Sequence, residues 1–506
     1  MQQVSIPRRN LLLSISATGI LATTGPASAD TKGFRIGMTT LPGSKGNPYF
    51  STATSPNYFW TSIYDTLTLV DEQGGVVPWL ALSWDMIEDT VWLLKLRPDV
   101  TFSNGEPFDA FAVKTVIDSL TSDVANATQS VARELRFLAG ASVIDPLIIE
   151  LRTKWPMAVL PQHLVGMHIA APRHLNRVGF DGLQKEPIGS GPFVVDTWTA
   201  EKISLKANTS SWRTPRVDTL EVLAIPDPTS RIQALETDRV DIAMALSTDH
   251  IDRLKAGGNR YHLRNPIRTS CMAFITHNRD TPFDDVRVRQ AINYAVNRWA
   301  ITRTLLDGLV EPSGQPAPKG VIGYDPSLEP YPYDPGRAKT LLTDAGYPNG
   351  FDFILELVQG TTPNDAAIAQ QIAQDLAKVG VNMQLRTILF PQLLRNMLQG
   401  GFKGDAFMVD YSTSQTLDGM RYYRLHSCNN HAAWFCDESI QPLIEEAKRT
   451  ADLEMRIQLT QQLDKYYRDQ AQTLLLYPIM GLDGVGPRVT HWKPMNDNLM
   501  WHTVDV

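Results

Sequence analysis

The chain has 506 residues, 43 % of them apolar and 20 % charged, with 54 acids against 47 bases for a formal net charge of −7. That length carries a prior of about three domains, and the acidic balance argues against nucleic acid or an anionic membrane surface as partner. Beyond the first thirty residues no run is apolar for long enough to span a bilayer.

The first residues read as a targeting segment. Arg8-Arg9 and then Asn10-Leu11-Leu12 open an apolar run to Ala22, and Ala27-Ser28-Ala29 offers a small-residue cleavage site before Asp30. Residues 5–12 approximate a twin-arginine export signal, with an ordinary secretory signal carrying two adjacent arginines as the open alternative. Removing 1–29 takes away two arginines and no acids, so the charge moves from −7 to −9.

A strand is expected over 34–39, then a Gly/Pro/Asn-rich segment over 41–48, a structured element over 59–70 and a turn at 71–75. An alternating strand over 91–96 leads through a turn to a helix over 110–120 capped by Asp109. Pro187-Ile188-Gly189-Ser190-Gly191-Pro192-Phe193 reads as a turn delivering a strand over 193–198, which pairs with 203–207. A phosphate-cradling loop is the sharper alternative, but no helix and no Lys-Ser/Thr follow. A strand over 217–226, a helix over 229–237 and a strand over 240–243 set a β-α-β rhythm.

Residues 269–301 organise the rest. An apolar strand over 271–276 runs into Asn278 and a turn at 280–282. Asp284 or Asp285 can cap one helix on which Val288, Ala291, Ile292, Ala295, Val296 and Trp299 make a buried face. Arg287, Arg289, Gln290, Asn293, Asn297 and Arg298 fill its other sides. A proline-rich irregular loop covers 310–333, and Asp334-Pro335 start a helix that ends near Gly346. A strand over 351–358, a helix over 364–379, a strand over 381–386, a helix over 391–399 and a strand over 405–411 continue the alternation. Amphipathic helices over 439–449 and 453–467, the second capped by Asp452, precede an apolar return over 473–480 and a glycine-rich crossing at 481–486.

Several of these blocks carry a resemblance. They are V-P-W-L-A-L-S-W at 77–84 with the strand–turn unit at 96–108, the turn at 187–193, I-P-D-P-T-S-R-I-Q-A-L-E-T-D-R-V-D-I-A at 225–243, P-F-D-D-V-R-V-R-Q-A-I-N-Y-A-V-N-R at 282–298, and Y-D-P-G-R-A-K-T-L-L-T-D-A-G-Y-P-N-G-F at 333–351. In this order, and over essentially the whole mature chain, they resemble the family 5 extracellular solute-binding proteins of ABC importers, the peptide- and nickel-type group. Asp238-Arg239 departs from the family's more usual small-residue turn.

The resemblance implies an α/β, two-lobed periplasmic-binding-protein fold of type II, peptide-binding-like. It would comprise an export signal over 1–29, a first lobe over 30–268 with an extra subdomain at about 50–185, a second lobe over 269–480 and a return to the first over 481–506. It implies a periplasmic monomer that captures a short peptide or peptide-like solute between its lobes and delivers it to an ABC permease in the inner membrane, without a cofactor or catalysis. A nickel chelate, an opine or an oligosaccharide is the alternative cargo. A peptide-binding chaperone or sensor is a further reading.

No G-x-S-x-G elbow, H-E-x-x-H, Walker loop or strand-borne G-x-G-x-x-G occurs. Paired carboxylates leave no such trace, so an exported hydrolase remains the rival from another class. His426, Cys428, His431 and Cys436 suit zinc by type but not by spacing. In an oxidising compartment Cys428 and Cys436 are the disulfide candidates, with Cys271 left free. Because nickel is a family ligand, His277, His426 and His431 keep a small place as metal ligands. The candidate ligand site is Asp410-Tyr411 at a strand end. By the resemblance, the acid of the family's A-D-Y motif captures a peptide's α-ammonium, and Val409-Asp410-Tyr411 matches it, although Ser412-Thr413-Ser414 replaces the family's next residues. A cation buried in a dry cleft needs a fixed counter-charge. Phe407 is a candidate pocket aromatic equally readable as core, and Tyr49, Tyr58, Trp60 and Trp434 are candidates whose first reading is packing. Asn278 is a candidate where a strand passes the cleft, and Arg395 one for a ligand carboxylate, against turn and helix-surface readings.

Overall fold

A computed structural model describes residues 32–506 apart from 52–57, 72–73, 360–361, 363, 414–415, 424–426, 431 and 496–497. The export-signal expectation over 1–29, and the histidines His426 and His431, lie outside the described residues. Among the described residues no helix is long and apolar enough to cross a membrane.

Two large sheets carry the chain. The first has seven strands in the order Phe193–Trp198, Lys202–Ala207, Thr219–Ala224, Gly33–Met38, Ile242–Leu246, Gly481–Val485, Arg260–Arg264. Gly33–Met38 runs parallel to both its neighbours, and Phe34, Ile36 and Met38 sit in the core. Helix Pro228–Glu236 is tied down by Arg231, whose buried guanidinium donates to the carbonyls of Ile225, Pro226, Met244 and Ala245. A four-stranded antiparallel sheet, Ala81–Glu88, Val91–Leu96, Ile148–Thr153, Leu138–Asp145, stands beside it. Helix Ala110–Leu120 packs on that sheet, its first turn closed by the Asp109 carboxylate accepting from the Ala112 amide at 3.0 Å.

The turn at 187–193 has a packing reason. The Gly191 amide donates to Ile63 O at 2.8 Å and the Phe193 amide to Ser62 O at 2.9 Å. A Cβ on Gly189 or Gly191 would collide with the Ile63 backbone, so only glycine permits this approach. Ser190 points its hydroxyl at Asp65, 2.7 Å away, and Asp65 also takes the indole N–H groups of Trp79 and Trp212 and the Arg213 guanidinium. The motif is a structural joint, and its Gly191 and Phe193 amides are committed to protein carbonyls rather than to a phosphate.

The second sheet has five strands in the order Asn382–Thr387, Asp352–Leu357, Ala406–Ser412, Arg268–Phe274, Thr473–Pro478. Helices Val286–Ala295, Pro335–Asp344 and Asp365–Ala377 cover one face, where Met272, Phe274, Val288, Ile292, Ile368, Ile372 and Leu476 form a core.

Three expectations fail here. The single helix through Trp299 is two, Val286–Ala295 and Arg298–Leu305, because Val296 leaves in an extended conformation and Asn297 starts a new helix by accepting from the Ala300 amide. Trp299 is therefore exposed. Arg289, Asn293 and Arg298, expected on polar sides, are buried. They reach the carbonyls of Gln470, Thr473 and Leu475 on the returning chain, at 3.0, 3.3 and 2.5 Å, so these polar groups hold strand Thr473–Pro478 in place rather than face water. Finally, the crossing at 481–486 is itself strand, Gly481–Val485.

Helix Leu453–Asp469 buries Asp464, to which the Tyr423 hydroxyl donates. Burial pushes this carboxyl up to about 8, with the Tyr423 hydrogen bond pulling the other way. A carboxyl raised in the folded state favours folding below its unfolded value, about 4, and loses that contribution as pH climbs toward its folded value. Asp464→Asn is thus expected to melt above the parent at pH 8, by about 2 °C or more, with the gap closing as pH falls to about 4. Differential scanning calorimetry across that range checks it.

Candidate functional site

Two crossings join the large sheets. Arg260–Arg264 leads out to Arg268–Phe274, and Thr473–Pro478 leads back to Gly481–Val485. Beside these crossings lies a charged cluster. Arg268 Nη1 donates to Asp410 Oδ2 at 2.9 Å, and the two side chains keep 32 % and 21 % of their surface exposed.

The register explains the grouping. Ser270 lies opposite Asp410 on one neighbouring strand and opposite Tyr477 on the other. Directly paired residues share a face, as do residues two apart on one strand, so Arg268, Ser270, Asp410 and Tyr477 project together. Burial raises the Asp410 carboxyl, Arg268 opposes the rise, and Asp365 at the start of helix Asp365–Ala377 adds to it. Tyr477 is pushed up by burial first and by the Asp410 charge second, with Ser270 and Thr362 at its hydroxyl. Arg268 is thus the counter-charge of Asp410, and Asp365 acts on the same carboxyl from the helix start. The cluster places an anion-binding group, Arg268, beside a carboxylate suited to a cation, Asp410.

The same alternation separates residues expected together. Tyr411 and Phe407 project to the opposite face from Asp410. There Phe407 stacks on Phe402 with ring centroids 4.2 Å apart and meets Trp434 edge-on at 5.1 Å, while Tyr411 packs against Tyr422 and near Cys271. Phe407, Tyr411 and Trp434 are core residues of an aromatic cluster that extends to Val70 and Val165. Tyr49 and Trp60 are also core, Tyr49 donating to His168 O at 2.8 Å and Trp60 packing against Phe59, Tyr64 and Trp198. Their size and apolar surface are used for packing. Tyr58 lies under the Arg264 guanidinium, 4.4 Å from ring centroid to Cζ.

Asn278 is exposed in a left-handed turn, φ 57°, beyond the far end of strand Arg268–Phe274 from Asp410. Arg395 is exposed on helix Phe390–Gln399, and no described contact brings it to Asp410. The base beside Asp410 is Arg268. Sequence reasoning missed it by starting the strand at 271; a lone arginine opening an apolar strand was the available signal.

Other contacts tie residues 412–456 to earlier segments of the chain. Arg421 donates to Ser412 O at 2.5 Å and pairs with Glu134 at 3.1 Å. Asp418 lies 2.7 Å from Arg456 and 3.6 Å from His163. Burial would raise the Asp418 carboxyl, but Arg456 and His163 together hold it well below the usual carboxylate range.

Cys428 and Cys436 are joined by a disulfide, and Cys271 is free and buried. Among the described residues the grouping of metal-ligating types is Cys428, Cys436 and Glu438, and a disulfide removes both thiolates from it.

Comparison with known proteins gives this geometry a setting. The family described as bacterial extracellular solute-binding proteins, family 5 Middle, matches residues 75–433. Glutathione-binding protein GsiB of Shigella flexneri serotype 5b is 29 % identical over 395 residues, covering 75 % of this chain and 74 % of that protein. Heme-binding protein A of Haemophilus influenzae is 30 % identical over 321 residues, covering 61 % and 57 %. Among solved structures, NikA of Brucella suis in complex with Fe(III)-EDTA superposes with a TM-score of 0.80 at 25 % identity, over 93 % of this chain and 99 % of that one. A dipeptide-binding protein from Pseudoalteromonas sp. SM9913 in complex with Met-Leu gives a TM-score of 0.80 at 18 % identity, over 94 % and 100 %. The fold is that of two-lobed, type II periplasmic binding proteins.

Because the Cys428–Cys436 loop spans 8 positions, its closure restricts the unfolded chain only locally. Replacing both cysteines by serine is expected to lower stability by about 2.5 kcal/mol, read as a shift in denaturation midpoint without a change in slope.

Proposed function

The chain belongs to the bacterial extracellular solute-binding proteins of family 5, and from that premise we propose that its cargo is a small zwitterionic, peptide-like solute. It would deliver this solute, chemically unchanged, from the periplasm to an inner-membrane ABC permease. The observation that carries the reading is the Arg268–Asp410 pair at 2.9 Å, partly open to solvent, with Asp365 adding negative charge beside it.

A zwitterion suits that arrangement. Its carboxylate can share the planar guanidinium of Arg268. Its ammonium then meets Asp410, which loses part of its hold on Arg268 at that moment, and Asp365. Asp410 thus has a resident counter-ion before cargo arrives, so its desolvation is offset in the empty protein and the ligand exchanges partners rather than meeting a bare charge. Glutathione, the named ligand of the GsiB relatives, has an ammonium and two carboxylates, and Met-Leu has one of each.

Cargo favours the closed arrangement only by as much as it binds that state better than the open one. The Arg421–Glu134 and Asp418–His163 contacts join segments that such a motion would part. No step in this reading converts the solute, and the binding-protein relatives support a receptor rather than a hydrolase.

Isothermal calorimetry with glutathione and with Met-Leu tests the reading. Asp410→Asn and Arg268→Met should each weaken binding by about 3 kcal/mol, roughly two decades of affinity, while circular dichroism stays unchanged. Unaltered affinity in both variants would remove the pair from the site.

A further inference from the structure

Helix Phe390–Gln399 packs on the protein with one side only. Leu393 is buried and Met397 half-buried against the aromatic cluster around Phe407, and Asn396 is buried on the same side. Phe390, Leu394 and Leu398 recur every fourth residue, which sets them in one line along another side, about 12 Å from end to end. They are 50, 44 and 71 % exposed, and Leu389, just before the helix, is 73 % exposed. Single exposed leucines are ordinary on a protein surface, whereas a contiguous row of large apolar side chains marks an interaction site.

The charge beside this row has one sign. Residues 379–404 contain three bases, Arg386, Arg395 and Lys403, and no acid, in a chain whose net charge is −7. Arg395 is exposed on the helix itself, next to Leu394. Arg386 and Lys403 are held near its polar edge, because Asn396 Nδ2, the Lys403 amide and Arg386 Nη1 all approach the Glu356 carboxylate, at 3.5, 2.9 and 3.7 Å. Glu356 is wholly buried. Asp405, the next acid along the chain, is half-buried and accepts from the Ile354 amide at 2.9 Å. The exposed charges of this edge are therefore basic, and two copies meeting through it would bring like charges together.

We propose that this helix is a membrane-interface element: Phe390, Leu394 and Leu398, with Leu389, enter the headgroup boundary of an anionic phospholipid leaflet, and Arg395, Arg386 and Lys403 meet its phosphates. A row of phenylalanine and leucine flanked by bases is the pattern of helices that lie in that boundary. Long basic side chains keep their charge among the headgroups while their stems cover apolar surface. The acidic balance of the whole chain opposes a general attraction to such a leaflet, so contact through this edge also orients the molecule on it. The element owes nothing to Arg268 or Asp410 and stands whether or not the peptide reading does.

Co-sedimentation with lipid vesicles tests it, using the chain without residues 1–29 so that the apolar run before Ala22 does not itself bind lipid. Vesicles of phosphatidylcholine with phosphatidylglycerol should bind the protein about tenfold more tightly than phosphatidylcholine alone, and high salt should remove the difference. Leu394→Gln with Leu398→Gln should weaken binding by about tenfold or more, and Arg395→Gln by about fivefold. All three positions are exposed, so an unchanged melting temperature verifies the fold. No binding to the mixed vesicles, equal binding to the two kinds, or indifference to the leucine changes would each overturn the proposal. So would a dimer in light scattering that the leucine changes dissolve, which would make a second copy the occupant. Binding to native inner-membrane vesicles but not to vesicles of their extracted lipids would overturn it in favour of a protein partner.

Discussion

A buried ion pair fastens the two crossings to each other. Arg264 ends the outgoing strand and Asp483 sits within the returning one, with Nε to Oδ2 at 2.8 Å and both side chains almost wholly out of water. Asp483 also accepts from the Ala245 amide at 2.9 Å, and Tyr58 lies beneath the guanidinium. Neither charge can be left alone there, because one unpaired buried ion costs about 3–5 kcal/mol. Gly481 belongs to the same constraint: a Cβ on it would lie 2.6 Å from Arg264 Cζ. The glycine is therefore an allowance for the ion pair rather than a loose hinge.

That pair has a topological consequence. Strand Gly481–Val485 separates Ile242–Leu246 from Arg260–Arg264, so the seven-stranded sheet lacks an inner strand until nearly the end of the chain is in place. Residues 268–478 are thus an insertion between two neighbouring strands of that sheet, Arg260–Arg264 and Gly481–Val485. Buried Arg289, Asn293 and Arg298 serve the same closure from the other side, by holding the carbonyls of the returning chain. Long-range pairing of this sort makes the two sheets interdependent and slows assembly.

The proposed cargo site takes its position from these crossings. Arg268 is four residues beyond Arg264, at the first position of the strand that carries Ser270. Its guanidinium compensates Asp410, whose carboxyl Asp365 pushes up. On the opposite face of the same sheet, Phe407, Tyr411 and Trp434 join residues such as Val70 and Val165 in a closed apolar cluster. One strand thus gives charge to one side and packing to the other, which is the ordinary result of period two.

Element types along the chain were legible from local pattern. Helices starting at Asp109, Asp334 and Asp452 show those acids accepting from the expected amides, because a cap is a contact over three residues. The strands Val91–Leu96 and Phe193–Trp198 follow likewise from local alternation and turns. Motif order was enough to reach the family. What only tertiary structure decided were matters of pairing between distant segments: that Arg268 and not Arg395 faces Asp410, that Tyr411 turns away from it, that Arg289 and Arg298 are interior, and that 481–485 is an inner strand. A side chain's neighbour across a sheet depends on register, and register depends on how segments separated by 142 positions, as Arg268 and Asp410 are, are brought side by side. No window of local sequence contains that information.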